Sequence, residues 1–379
     1  MTTSKSPLLV NNTVFPSKPA WSRIIRYLLQ SEARRLLPFK HRTRICQRLI
    51  ASGKDTVDIM LDRANHSAYY KNLVVCGMPW TCPVCAARIT EHRRIEIAQA
   101  VRVMNMRCVL VTYTVQHDAS ERLITVRRAL QDAYTFMWSG RWADDFSDVW
   151  DIVGTIKALE DTYGRNGFHP HFHSLMFLET GEDTVALEGR FRDALKARWQ
   201  KSLEKYGRYA KWDVGVTVKV VYSDIAEYVD KLGHEPLDEP GWDITHEIAK
   251  GPSKMGKVHG YTPNQLLLES YRGQFVFEKI WLEHVEGTWK CKQIRWSEGL
   301  RELAGLDVNE PGEQEMAEIL PDNYEFFASF THTMWAFFLD QNVTGEILQI
   351  AGRGDIEALW EFFEKMKFKF EFVDLRRLS

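Results

Sequence analysis

The stretch GFHPHFHSLMFL, residues 167–178, places His169, His171 and His173 at alternate positions and follows them with an unbroken apolar run. Period-2 spacing puts side chains i, i+2 and i+4 on one face of an extended strand. The three imidazoles therefore share a face while Phe172 turns into a core on the other. One histidine so placed reads equally well as a satisfied core residue. Three on one face make a poor core and a good metal site.

The neighbouring pattern supplies the partners of that strand. CVLVTYTVQH, from residue 108, is a β-branched run ending at His117, and LITVRRALQDAYTFMW restores helical spacing through Leu123, Val126, Leu130, Tyr134 and Trp138. A strand over 152–160 and the histidine strand over 169–178 predict a hairpin that brings Glu160 close to the imidazoles. A helix over 188–204, a strand over 213–221 and a helix over 223–232 follow. This order predicts an α+β fold, an antiparallel β-sheet with helices packed on one face. Two imidazoles, His171 and His173, with the Glu160 carboxylate suit Mg(II) or Mn(II) as a Lewis acid toward phosphate, and His169 is either a ligand or a donor behind the ligands.

The flanks differ from this core. WSRIIRYLLQSEARRLLP and RTRICQRLIASG predict a basic helical region over 1–70, and FFASFTHTMWAFFL and DIEALWEFFEKM predict helices with large aromatic faces in an acidic region over 302–379. Net charge is only −2, yet residues 1–107 carry 18 Lys or Arg against 6 Asp or Glu, and residues 302–379 carry 6 against 16. A basic front suits a polyanion held on one side, or else uneven surface charge in a multidomain chain. Arg34, Arg35, Arg42 and Arg44, with Arg93 and Arg94 further on, are the candidate phosphate contacts; solvent is the other destination for such side chains. The apolar runs at 108–115 and 332–339 are too short to span a bilayer, and the N-terminus lacks a basic stretch followed by an apolar one, so the expected location is cytoplasmic.

Residues 71–107 contain VVCGMPWTCPVCAARITEHRR, with Cys76, Cys82 and Cys85 spaced C-x5-C-x2-C. A tight C-P-V-C turn presents two thiolates to tetrahedral Zn(II). His92 is the expected fourth ligand, with His66 as the alternative. Buried structural thiols and a redox dithiol are the rival readings. Cys46, Cys108 and Cys291 stand alone and read as buried small apolar residues.

VVYSDIAEYVDKLG, residues 220–233, sets Asp224 and Tyr228 four apart and Lys231 three beyond, on one helical face. The lysine and a nearby metal would favour the phenolate against a reference pKa of about 10, giving an oxygen nucleophile. A routine amphipathic helix has the same pattern.

VLVTYTVQH, NGFHPHFHSLMF and DIAEYVDKL, in this order, resemble the three motifs of rolling-circle plasmid replication initiators in the HUH (His-hydrophobic-His) endonuclease superfamily. KQIRWSEGLR, residues 292–301, is similar to the branch that uses one tyrosine. The likeness runs over about residues 70–301, with an endonuclease core and origin-binding elements over 108–301. It implies an HUH/RRM-like core and a divalent metal on His171 and His173. It further implies Tyr228 as the nucleophile joined to a 5' phosphate, and Trp296 and Arg301 in an origin-contacting element. Where some relatives carry a glutamate that activates a terminating water, this chain has Asp224 with Glu227 nearby. The implied partners are plasmid origin DNA and the host replication helicase and polymerase. An HUH-type transposase or relaxase would share the same residues, and a non-enzymatic zinc-containing DNA-binding protein would lack their chemistry. No P-loop or dinucleotide fingerprint occurs, in keeping with transesterification that needs no nucleotide cofactor.

Overall fold

The computed structural model describes residues 23–179, 184–221, 260–319 and 324–366. In chain order the elements are α1 (Arg23–Leu36), β1 (Thr56–Asp62), β2 (Ser67–Lys71), α2 (Pro83–Met104), β3 (Arg107–Thr114), α3 (Leu123–Met137), α4 (Arg141–Val149), β4 (Ile152–Gly164) and β5 (Gly167–Leu178). They continue with α5 (Thr184–Glu204), β6 (Val216–Val221), β7 (Gly260–Tyr261), α6 (Pro263–Tyr271), α7 (Val276–Gly287), β8 (Ile294–Trp296), α8 (Leu300–Leu303), α9 (Glu313–Glu318), β9 (Glu325–Thr331), α10 (His332–Gln341), α11 (Thr344–Ala351) and α12 (Ile356–Lys365).

Among the described residues the larger sheet runs β6-β3-β5-β4-β7, with β8 also bonded to β4, and all its pairings are antiparallel. Its spine is the predicted hairpin, extended to a two-residue turn: Gly164 pairs with Gly167, whose φ of +83° suits glycine in a tight reversal. Alternation along β3 and β5 sorts the side chains. Val109, Val111, Tyr113, Phe172 and Met176 face α3 and α5, where Val126, Leu130, Phe191 and Trp199 close the core. Burying each such side chain stabilises the fold by about 1.5–3 kcal/mol.

The other face is not bare, contrary to the expectation of helices on one side. Cys108, Leu110, Ile156, Leu175 and Phe177 pack against Ile97, Ala100 and Val101 of α2 and against Leu300 and Ala304. His171, His173 and Glu160 lie on this same face by parity, further along the strands.

Among the described residues of 1–70 the helical expectation holds for α1, shrinks over 42–53 to a single 3-10 turn at Arg42–Arg44, and fails at 56–71, which forms β1 and β2. Val57, Ile59 and Leu61 are β-branched or aliphatic residues at alternate positions, all fully buried, so period 2 wins over the helical reading. In the same way FFASFT is strand β9, and only the following residues are helical. These strands form a second sheet, β2-β1-β9, so the N- and C-terminal regions share one sheet. Their common core holds Tyr70, Trp335, Phe338 and Phe363. The charge asymmetry is partly consumed at this junction: Arg63 pairs with Glu325, Arg93 pairs with Glu313 at 2.9 Å, and Arg88 donates to the Ala317 carbonyl.

Candidate metal centre

Register brings the site together. Glu160 on β4 lies opposite His171 on β5, and His173 lies opposite Thr112 on β3. Glu160 Oε2 is 3.2 Å from His173 Nε2 and 3.5 Å from His171 Nε2. Glu160 and His173 are each only 5% exposed. The second ring nitrogens are held from behind. His171 Nδ1 is 3.2 Å from the His169 carbonyl oxygen, and His173 Nδ1 is 3.0 Å from Thr112 Oγ1. A carbonyl can only accept, so His171 carries its proton on Nδ1 and turns the Nε2 lone pair toward Glu160. The three donor atoms lie within 4.8 Å of one another, and two imidazoles with one carboxylate fit a divalent cation.

His169 stands beside this set rather than within it. Its Nδ1 is 2.9 Å from His117 Nε2, and its ring lies against His171 with centroids 5.5 Å apart. Burial, with the neighbouring His171 and His117, pushes His169 down to about 4. It serves through its carbonyl, behind the His171 ring. His117, three residues past the end of the strand that carries Thr112, was not among the expected site residues. Its signal in the sequence was its place one residue past the VLVTYTVQ run.

A second cluster corrects the expected zinc set. Cys76, Cys82 and Cys85 come together with Cys46, all four buried and all four sulfurs within 4.8 Å of one another. His92 lies elsewhere, its Nε2 3.5 Å from Glu96, and His66 is not in the cluster either. The reason is helical direction: Cys82 caps α2 and Cys85 sits in its first turn, so His92, two turns on, is carried away along the axis. Cys46 arrives instead from the loop after α1. Burial would raise the Cys82 thiol, but side-chain hydrogen bonds with Cys46, Cys76 and Cys85 and one from the Cys85 backbone N–H hold it well below the usual value. Gln30 Nε2 also donates to this sulfur, at 3.2 Å.

The arginines are mostly spent inside the protein. Arg93 is buried, donating to Gln293 and Glu313, and Arg301 is buried in a two-pronged pair with Glu96 at 2.6 and 3.1 Å. Neither presents its guanidinium at the surface as a phosphate contact requires. Arg44 donates to the carbonyls of Arg34 and Leu37, and Arg34 to Gln30. Arg35 pairs with Glu32 and Glu278, Arg42 bonds Gln314 and Arg94 bonds Glu91. Trp296 lies on β8 opposite Ile156, with its ring 5.2 Å from the Arg301 guanidinium. Tyr222, Asp224, Glu227, Tyr228 and Lys231 fall in the span 222–259, outside the described residues.

No protein-family profile matches the chain, and no solved structure matches it. Among curated proteins it is 27% identical over 314 residues to protein Rep of Streptomyces lividans, covering 66% of this chain and 68% of that protein. It is 29% identical over 168 residues to a neomycin resistance protein of Streptomyces cyanogenus, covering 34% of this chain and 38% of that one. A His-x-His and carboxylate cluster together with a distant likeness to a Rep protein agrees with an HUH-like nuclease capacity. Among the described residues no helix is long and apolar enough to cross a membrane.

Proposed function

We propose that this protein is a metal-dependent, strand-specific DNA nickase that initiates rolling-circle replication of a plasmid. The observation that carries the reading is the convergence of Glu160 Oε2 with the Nε2 atoms of His171 and His173 on one sheet face. Likeness to protein Rep of Streptomyces lividans supports it. Glu160, His171 and His173 would hold Mg(II) or Mn(II), which supplies Lewis acidity toward a nonbridging phosphate oxygen.

The chain's own residues do the rest. The His169 carbonyl and Thr112 hydroxyl fix the two imidazoles in orientation, so no reorganisation is needed when charge builds on phosphorus. The Tyr228 phenolate oxygen forms a bond to phosphorus as the bond to the 3' oxygen breaks. That oxygen leaves as a hydroxyl able to prime a host polymerase, with the host helicase opening the duplex ahead. Lys231 favours the phenolate. Asp224 or Glu227 handles the proton or the terminating water. Because the phosphodiester is exchanged for a phosphotyrosine ester, the strand can be rejoined without a nucleotide cofactor. A zinc ion on Cys46, Cys76, Cys82 and Cys85 would serve structure, since four thiolates leave no open position for chemistry.

The test is incubation of the purified protein, with Mn(II) or with chelator, on supercoiled plasmid carrying the origin that adjoins its gene. Open circles with protein on the 5' end, formed only with metal, are expected. Intact plasmid under all conditions removes the reading. Cutting confined to an unrelated transfer or transposon end would favour a relaxase or transposase instead.

A further inference from the structure

Large aromatic side chains stand in solvent on the loop between α5 and β6. Tyr209 is 62% exposed and Trp212 is 52% exposed, with Tyr206 and Val214 exposed beside them. The backbone that presents them is anchored at several points. Ala210, between the two rings, is buried, and its carbonyl accepts from the Gln200 amide while its N–H donates to the Gln200 side-chain oxygen. The Tyr209 carbonyl accepts from the Gln116 N–H at 2.9 Å, and the Val214 carbonyl accepts from Thr114 Oγ1 at 3.1 Å. Gly215 closes the loop against Ala210, so tightly that a Cβ would sit 2.6 Å from the Ala210 Cβ. An anchored loop that holds apolar rings in water points to a binding surface.

Its position names the site it serves. Of the anchoring residues, Thr114 ends β3 and pairs directly with His171, and Gln116 lies two residues beyond it. A cleft of about 110 Å³ lies between the loop and the hairpin end, lined by His117, His169, Asn166 and Lys211. From there the His169 ring meets the His171 ring.

The charge around the rings names the occupant. In the run KSLEKYGRYAKWDV, residues 201–214, Lys201, Lys205, Arg208 and Lys211 outnumber Glu204 and Asp213. Lys196 Nζ is 5.6 Å from the centre of the Trp212 ring, and Lys205 Nζ is 5.8 Å from that of Tyr206. Aromatic faces interleaved with cations suit a chain of unstacked bases on a phosphate backbone. A paired duplex offers no such base faces. Resting on the nuclease reading above, we infer that the α5–β6 loop stacks unpaired bases of the strand next to the metal centre, with Tyr209 and Trp212 as the platforms.

The test measures binding of a labelled single-stranded oligonucleotide, in chelator, by the full chain. Tyr209→Ala with Trp212→Ala should weaken binding about tenfold or more and leave the salt dependence nearly unchanged. Lys205→Gln with Lys211→Gln should instead flatten the salt dependence. Replacing the bases with abasic sites should cost the wild type affinity and cost the alanine variant little more. All positions are exposed, and an unchanged melting temperature excludes misfolding. Wild-type affinity in the alanine variant overturns the inference. So does equal loss on an abasic strand, or a self-association lost in the variant while DNA affinity is kept, which would assign the rings to a second copy. A protein that binds through these rings yet cuts nothing in Mn(II) keeps this inference and loses the nuclease reading. One that cuts DNA while ignoring the rings does the reverse.

Discussion

His171 Nδ1 lies 3.2 Å from the main-chain oxygen of His169, two residues earlier on the same strand. This contact sets the tautomer of His171 from its own backbone, whereas His173 depends on a neighbouring side chain, Thr112 Oγ1, at 3.0 Å. The two ligands should therefore differ in sensitivity. Thr112→Val keeps the shape and removes the hydroxyl, so it should weaken metal binding about 10- to 100-fold while leaving the fold intact. His171→Ala with His173→Ala should lower metal-dependent cleavage by about 100-fold or more while most DNA binding survives. Calorimetric titration with Mn(II) and a nicking assay check both, and undiminished nicking by the double variant would remove the metal assignment.

The cysteine cluster predicts one zinc ion per chain, retained through purification without chelator. Cys46→Ser and Cys82→Ser should each release it and lower the melting temperature, because binding energy at a four-thiolate site is folding energy. His92→Ala should keep it. Elemental analysis of the three variants decides the fourth ligand, and zinc lost from the His92 variant but kept in the Cys46 variant would reverse the correction.

The hairpin and its histidine face were legible because one strand carried both signals, alternation and a following apolar run. Glu160 was legible because a short turn fixes the register of its neighbour strand. Cys46 was not, since it lies 30 positions before Cys76 and enters through a loop that only tertiary packing brings back to α2. Residues 56–71 were misread as helix because the basic run before them continues the composition of α1. The strand partner that reveals them, β9, lies more than 250 residues away. The arginine count likewise marked polyanion contacts without revealing that Arg301 has a buried carboxylate, Glu96, waiting for it and Arg93 a half-buried one, Glu313.

His284 is fully buried, with Nδ1 2.7 Å from Asp161 Oδ2 and Nε2 3.1 Å from the Trp80 carbonyl. Burial alone would lower its pKa, but the Asp161 charge and the hydrogen bonds to Asp161 and Trp80 together raise it above its ordinary value. A raised folded-state pKa contributes stability that is fully present below the unfolded value of about 6.5. That contribution is lost as pH rises through the folded value. His284→Gln removes the cation and strands Asp161, at a cost of about 3–5 kcal/mol. The gap in melting temperature between wild type and variant should be widest near pH 6 and narrow toward pH 9. A gap independent of pH would show that the imidazole is not charged in the fold.

Tyr228 is expected to be the covalent nucleophile among 13 tyrosines. Several other tyrosines are poor candidates on burial alone. Burial raises Tyr70 and Tyr113 well above the ordinary phenol range, and Tyr134 to about 12, so none of these offers a phenolate near neutral pH. Tyr228 has instead a carboxylate four residues before it and an ammonium three after. Its chain segment follows β6, which borders β3, the strand carrying Thr112. Tyr228→Phe deletes one oxygen, so the protein should fold, bind the oligonucleotide with wild-type affinity, and form no adduct. Tyr222→Phe should leave the first cleavage intact. Digestion of the trapped complex and mass spectrometry of the nucleotide-bearing peptide read the answer. An adduct on the Tyr222 peptide, or one that persists in Tyr228→Phe, would move the nucleophile to another residue without disturbing the assignment of Glu160, His171 and His173.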